Sequence, residues 1–89
     1  MKRRYTVEGV VQGVGFRYFV RRQAMRLGLA GWVRNNHDGS VEAEAAGSAD
    51  SLAHFEVELR RGPSHAYVTN LRVTEVTDEV GPSGSFEIV

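Results

Sequence analysis

The residues best suited to chemistry lie in Val10–Phe19, VVQGVGFRYF, where a pair of glycines shortly precedes an arginine. A glycine-rich turn that leads into a helix exposes backbone N–H groups that have no partner within the helix. With the positive end of the helix dipole behind them, such groups bind anions. Arg17 adds a planar guanidinium that can hold two phosphate oxygens at once. These residue types at this spacing predict a site for a phosphate-sized dianion.

A simpler interpretation of the same segment stays open at this point. Spacing alone is equally typical of a glycine-rich turn between a strand and a helix, with Arg17 in solvent. The segment lacks the Gly-Lys-Ser/Thr of a Walker loop and does not match the dinucleotide-binding fingerprint. Which of the two interpretations holds, an anion site or a plain turn, depends on the secondary-structure elements that position the loop.

The apolar residues change period across this loop. They alternate with a period of two over residues 5–11 and follow helical spacing from Phe16 to Leu27, with Gly28 at the expected C-cap. Further strands are predicted over Leu29–Asn35, Val41–Ala45, Tyr67–Val76 and Ser85–Val89, the last behind a Gly81-Pro82 turn. A second helix is predicted between a Ser48 or Asp50 cap and Gly62-Pro63, and a hairpin at NNHDGS, with turn residues Asn36 and Asp38-Gly39.

This order predicts an α+β fold, the ferredoxin-like α/β sandwich: βαββαβ with a short C-terminal fifth strand, and two helices on one face of a mostly antiparallel sheet. A right-handed crossover makes strands 1 and 2 parallel, with strand 3 between them. Gly13–Gly15 and Arg34–Asn36 then leave the same sheet edge, ~10 Å apart. The alternatives are another strand order and a swapped dimer. We expect residues 1–89 to form one domain.

The composition limits the classes of function. Of the 89 residues, 42% are apolar and 25% charged, as in soluble globular domains. Eleven basic and eleven acidic residues leave no net charge, so any attraction for an anion must be local. The absence of cysteine excludes disulfides, thiolate metal sites and cysteine nucleophiles. We expect no signal peptide and no membrane-spanning segment, which favours the cytoplasm.

The remaining polar residues suggest no second reaction centre. His37, His54 and His65 lack metal-ligand spacing, and we expect neither a metal nor a general-base role for them. Residues 2–4, a Lys-Arg-Arg run, are interpreted as a solvated tail. The third strand reads VEAEA, which predicts a solvent-facing sheet surface for its two glutamates, Glu42 and Glu44, rather than a glycosidase pair. An acidic strand without aromatic residues also argues against an RNA-binding module.

Two segments resemble the signatures of the acylphosphatase family. Val7–Arg17, VEGVVQGVGFR, is similar to the first signature, and Gly31–Asn35, GWVRN, with Gly39, Val41 and Gly47, is similar to the second. The segments occur in the family's order and separation, and the resemblance extends over nearly the whole chain in length and element order. The C-terminus differs, because family members often close with an arginine or aromatic residue where this chain ends in Ile88-Val89.

The resemblance implies hydrolysis of the carboxyl–phosphate bond of acyl phosphates, without a metal or other cofactor. It implies that the phosphoryl group is bound by Arg17 and the loop residues Gln12, Gly13, Val14, Gly15 and Phe16, and that Asn35 orients the attacking water. The expected partner is a small-molecule acyl phosphate, with no nucleic acid and no membrane, and the expected state is a cytoplasmic monomer.

Two other functions remain open at this stage. The first is a non-catalytic ferredoxin-like module that binds a phosphorylated small molecule. The second is an acylphosphatase-like domain of a larger carbamoyl-transferring maturation protein, although 89 residues without a linker do not look like a fragment of one.

Overall fold

The computed structural model describes residues 1–77 and 84–89, and its elements follow the predicted order. They are β1 (Lys2–Val10), α1 (Phe16–Arg26), β2 (Ala30–Asn35), β3 (Val41–Ala46), α2 (Ala49–Arg61), β4 (Tyr67–Glu75) and β5 (Phe86–Ile88). The turn predicted at Gly81-Pro82 lies outside the described residues. Within the described part of the chain, no helix is both long and apolar enough to cross a membrane.

The five strands form one sheet in the order β4-β1-β3-β2-β5. β3 is antiparallel to both β1 and β2, so β1 and β2 run in the same direction, as the crossover rule predicted. Tyr5 of β1 and Val33 of β2 both pair with Ala43 of β3, which aligns the three strands. As a result, β1 and β2 end at the same edge of the sheet, which is where the β1–α1 loop and the β2–β3 hairpin begin.

The core lies between the two helices and one face of the sheet. Its members alternate along the strands and recur at helical spacing along α1 and α2, which explains why these segments adopt these structures. Phe16, the first residue of α1, is 1% exposed. Burial of a side chain of this size stabilises the fold by ~1.5–3 kcal/mol, so Phe16 fixes the start of α1 beside the loop.

The other face of the sheet carries charged side chains. Glu44 is 9% exposed, because Lys2 and Arg4 of β1 reach its carboxylate at 3.9 and 2.8 Å. The solvent-facing position predicted for Glu44 is therefore wrong. The solvated tail predicted for residues 2–4 is also wrong, since these residues begin β1 and pair with β3. The pairing register places Arg4 directly opposite Glu44, and sequence patterns do not reveal that register.

β5 is held in place without a terminal arginine or aromatic residue. It pairs in parallel with β2, and Val89 N–H donates to Val33 O at 2.9 Å. Phe86 is 3% exposed, and its ring centroid lies 6.2 Å from that of Phe55 in the core. Arg21 of α1 also donates from Nε to Phe86 O at 3.1 Å. Core burial and α1 together therefore secure the strand.

Candidate active site

The loop between β1 and α1 turns at two glycines. Gly13 and Gly15 have φ values of 75° and 76°, in the left-handed region that costs other residues roughly 1–2 kcal/mol. In the part of the chain that the structure describes, no atom beyond the adjoining residues lies within 4 Å of a Cβ built on either glycine. Backbone conformation, rather than crowding, is therefore the reason for glycine here. The two left-handed residues bring the chain from the end of β1 to the start of α1 within residues 11–15.

Among the described residues, no side chain caps the N-terminus of α1. Gly15 is the N-cap residue, no acidic side chain lies in the first turn, and the first helical hydrogen bond joins Phe19 N–H to Gly15 O at 3.1 Å. The N–H groups of residues 16–18 therefore have no acceptor within the helix. By contrast, α2 is capped by the Ser48 hydroxyl and has Asp50 in its first turn. The positive end of α1 is thus open to an anion.

Arg17 is half-buried in the first turn of α1, beside this open helix end. Among the described residues, no carboxylate or carbonyl oxygen accepts a hydrogen bond from its guanidinium. Arg34 and Arg61, in contrast, bind the carboxylates of Glu42 and Glu58. A half-buried arginine without a protein anion has its full hydrogen-bonding capacity available for a ligand anion.

Asn35 is the last residue of β2. It lies on the same side of the sheet as the buried Gly31 and Val33, and pairs with Val41 of β3. Because β2 ends here, the side chain extends past the core at the sheet edge, where α1 begins. In the described part of the chain, its amide has no hydrogen-bond partner.

A cavity of about 110 Å³ connects the start of α1 with the end of β2. Its wall is formed by Val11, Gly13, Gly15, Phe16, Arg17, Tyr18 and Asn35. Because roughly 10–15 Å³ of such volume is enough to hold one water molecule, this cavity has room for a small group such as a phosphate. The cavity therefore combines a guanidinium and an open helix end on one element with a neutral amide on another.

The cavity brings together most of the predicted site residues. Of the six predicted to bind phosphate, four contribute to its wall: Gly13, Gly15, Phe16 and Arg17. Asn35, which was predicted from a different element, also lines it. Gln12 and Val14 do not, and Val14 packs against the core.

Two lining residues were not predicted from the sequence. Val11 is the last buried residue before the glycines, and Tyr18 follows Arg17 in the first turn of α1. The sequence does contain a signal for Tyr18, because a residue next to Arg17 lies in the same first turn of α1. Its position off the buried stripe of α1 separates it from the core aromatic residues.

Gln12 joins the β1–α1 loop to the β2–β3 hairpin. Its Nε2 donates to Asn36 O at 2.7 Å and to Ser40 O at 2.9 Å. The side-chain amide of Gln12 is therefore used within the protein, where it connects these two segments. Sequence reasoning missed these contacts because they cross 24 and 28 positions of the chain.

The hairpin itself is stiffened by a small polar network. Asp38 Oδ1 accepts from the Ser40 hydroxyl at 2.6 Å and from its N–H at 3.0 Å, and these hydrogen bonds hold the pKa of Asp38 below its usual value. Asn36 Nδ2 donates to Ser40 Oγ at 3.0 Å. The turn roles predicted for Asn36 and Asp38-Gly39 are confirmed. The network fixes where β2 ends, and with it the position of Asn35.

The residues that line the cavity suit an anion better than a metal cation. Their charged group is the guanidinium of Arg17, which cannot be a metal ligand. In residues 1–77 and 84–89, no three His, Asp or Glu side chains come together as metal ligands. His37, His54 and His65 are exposed and do not line the cavity.

Comparison with known sequences identifies the family. A sequence model of the acylphosphatases matches residues 3–88. The chain belongs to the acylphosphatase family. It is 59% identical over 69 residues to the acylphosphatase of Rhodopseudomonas palustris (strain BisB18), an alignment that spans 78% of this chain and 70% of that protein.

Solved acylphosphatase structures share the fold described above. The crystal structure of acylphosphatase from Bacillus subtilis matches with a TM-score of 0.94 at 43% identity, covering 99% of this chain and 97% of that one. The structure of T. kodakarensis HypF matches with a TM-score of 0.82 at 31% identity, covering 99% of this chain and 12% of that one. The acylphosphatase fold therefore also occurs as a small part of a much longer chain.

Proposed function

We propose that this acylphosphatase family member hydrolyses the carboxyl–phosphate bond of acyl phosphates in the cavity between α1 and β2. The observation that supports the assignment most strongly is the cavity wall. There Arg17, without a protein anion, and Asn35, without a hydrogen-bond partner among the described residues, belong to different elements and face the same small space.

The phosphoryl group is bound at the α1 end of the cavity. The main-chain N–H groups of residues 12–17 and the guanidinium of Arg17 bind its oxygens, with the positive end of the helix dipole behind them. Phosphoryl transfer passes through a loose transition state, with charge spread over the equatorial oxygens, so positioning and charge stabilisation supply most of the catalysis. Arg17 stabilises this charge without a metal.

The attacking water is oriented by Asn35. An amide can hold a water molecule through hydrogen bonds but does not act as a base at neutral pH. A loose transition state needs little nucleophilic push, so orientation is sufficient. The leaving group is a carboxylate whose conjugate acid has a pKa of about 4, so it departs as an anion without a general acid.

Phosphate release from acetyl phosphate in excess EDTA tests the assignment. We expect wild-type turnover to persist in EDTA and to fall by about 10²-fold or more in Arg17→Ala and Asn35→Ala. Matched controls are Arg22→Ala and Asn70→Ala, exposed residues of the same types away from the cavity, which should keep wild-type activity.

Three results would contradict the proposal. Folded Arg17→Ala and Asn35→Ala proteins that retain wild-type turnover would place the chemistry elsewhere. Loss of wild-type turnover in EDTA would overturn the metal-free mechanism. Binding of phosphate without any turnover would favour the non-catalytic module.

We further propose that the protein acts as a cytoplasmic monomer on a small-molecule substrate. Two features support a small substrate: the cavity volume of about 110 Å³ and the lack of net charge, which gives no general attraction for nucleic acid or anionic membranes. Light scattering of the purified protein at several concentrations tests the monomer, and a mass twice that of the chain would refute it.

A further inference from the structure

β4 forms a long edge of the sheet. In the described part of the chain it is an outermost strand, paired with β1 alone, and it has nine residues, whereas the other edge strand, β5, has three. Its register with β1 is regular from Asn70 to Glu75. Native proteins commonly keep edge strands short or interrupt them with proline, and β4 contains no proline. A strand of this kind can pair with another extended segment.

One hydrogen bond shows which backbone groups of β4 point outward. Val76 N–H donates to Lys2 O of β1 at 3.0 Å. Because backbone groups alternate in direction along an antiparallel strand, those of Leu71, Val73 and Glu75 point away from β1. Among residues 1–77 and 84–89, no backbone group pairs with them. Each of these residues therefore has one N–H donor and one C=O acceptor available to a partner.

A groove of about 360 Å³ lies beside this edge, between β4 and α2. Its wall is formed by Arg60, Val68, Thr69, Asn70 and Leu71. Arg60 is exposed in the last turn of α2, and its guanidinium has no hydrogen-bond or ion-pair partner within the described residues. The neighbouring Arg61, by contrast, binds Glu58. The groove therefore carries a positive charge that the fold does not use.

Two exposed valines add apolar surface near the groove. Val57 is 61% exposed and lies three residues before Arg60, on the same side of α2. Val73 is 39% exposed and pairs with the buried Tyr5, so it lies on the face of the sheet that the helices cover. An extended segment beside β4 would point every second side chain toward this face.

We propose that the open edge of β4 and this groove bind an extended segment of a partner protein, which adds a strand to the five-stranded sheet. Main-chain hydrogen bonds to Leu71, Val73 and Glu75 hold the segment. Its side chains toward α2 include apolar groups and a carboxylate that binds Arg60. A second copy of this chain offers no such carboxylate through its own β4, because Glu75 is the acidic residue of that strand and is bound by Arg3.

The test titrates isotope-labelled protein with the peptide acetyl-Thr-Val-Thr-Glu-Thr-Val-Thr-amide, whose valines and glutamate share one face when extended. We expect the amide signals of Leu71, Val73 and Glu75 to shift in NMR spectra. Arg60→Ala should weaken binding by roughly tenfold, the effect of losing a hydrogen bond between charged groups. The same peptide with lysine in place of glutamate should bind wild type at least about tenfold more weakly.

Arg22→Ala is the matched control, because Arg22 is exposed on the other helix and has no partner in the part of the chain that the structure describes. It should bind the acidic peptide as tightly as wild type, and the amide spectrum of each variant shows whether it is folded. Three results would overturn the inference. They are the absence of shifts along β4, equal binding of the acidic and basic peptides, and shifts that follow protein concentration rather than peptide, as pairing with a second copy would cause.

Discussion

Gly15 ends the β1–α1 loop and begins α1 in a left-handed conformation, and both the helix dipole and the open N–H groups depend on that geometry. Gly28 adopts a similar φ of 69° just beyond the C-terminus of the same helix. A Cβ at either glycine would lie more than 4 Å from every described atom outside the adjoining residues. The two positions therefore differ in their relation to the cavity but share the same backbone requirement.

Substitution by alanine at these two positions separates stability from catalysis. We expect Gly15→Ala and Gly28→Ala each to lose about 1–2 kcal/mol of unfolding free energy from left-handed strain, or ~4–8 °C in Tm per kcal/mol. Only Gly15→Ala should also lower kcat/KM, because it reorients the N–H groups that we propose bind the phosphate. Urea unfolding and phosphate-release assays on both variants check this, and equal activity in the two would argue against a catalytic role for the loop conformation.

At the scale of elements, the site is a junction between the β1–α1 loop and the β2–β3 hairpin. Gln12 holds the two together through its hydrogen bonds to Asn36 O and Ser40 O. Truncation to alanine leaves two carbonyl oxygens without this donor, and each lost hydrogen bond costs about 1 kcal/mol. The hairpin that carries Asn35 would then be free to shift relative to Arg17.

We therefore expect Gln12→Ala to lower kcat more than it weakens inhibition by inorganic phosphate. In the proposed mechanism, phosphate contacts the loop and Arg17, whereas orientation of the water depends on the distance between the two elements. Gln23→Ala is a matched control, since Gln23 accepts from Arg26 on an exposed face of α1. An equal loss of kcat and phosphate affinity in Gln12→Ala would contradict the proposed role of Gln12 in holding the two elements together.

Local patterns predicted the elements themselves better than the contacts between them. The change of period around Gly13 and Gly15 marks the end of a strand and the start of a helix, and Asp38-Gly39 marks the hairpin. The side-chain bonds of Gln12 depend on tertiary placement. The near-burial of Glu44 depends on a strand register that brings Arg4 opposite it. Neither the bonds nor the register leaves a periodic signal in the sequence.

In the molecule as a whole, the crossover rule made it possible to predict the location of the site from the order of the elements. Because β3 lies between the parallel β1 and β2, the ends of those strands meet at one edge, and Arg17 and Asn35 line one cavity. The parallel pairing of β5 with β2 was not predicted. A strand of three residues is too short for its apolar pattern to indicate which strand it pairs with.

Tyr5 links the sheet to α2, and its ionisation determines how the stability of the fold changes at alkaline pH. It is fully buried, and its hydroxyl donates to Glu56 Oε2 at 2.8 Å, which also accepts from Arg3. Burial, and then the hydrogen bond to Glu56, raises the pKa of Tyr5 above its ordinary value of 10.0. The folded protein therefore keeps a proton that the unfolded chain releases above about pH 10.

This raised pKa contributes stability that is fully present below pH 10 and is lost as the pH rises further. Above pH 10, we expect the wild-type free energy of unfolding to fall more steeply than that of Tyr5→Phe, by up to about 1.4 kcal/mol per pH unit. At neutral pH the variant should be less stable by roughly 1–3 kcal/mol, from the lost hydrogen bond to a carboxylate. Urea unfolding between pH 8 and 11 measures both, and parallel pH profiles would contradict the explanation.

We propose that Arg17 binds the phosphoryl group while Asn35 orients the attacking water. The most direct test measures kcat and the inhibition constant of inorganic phosphate for wild type, Arg17→Ala and Asn35→Ala. We expect Arg17→Ala to lose both kcat and phosphate affinity, whereas Asn35→Ala should lose kcat by about 10²-fold and bind phosphate nearly as tightly as wild type. Equal loss of phosphate affinity in the two variants, or full kcat in Asn35→Ala, would contradict it.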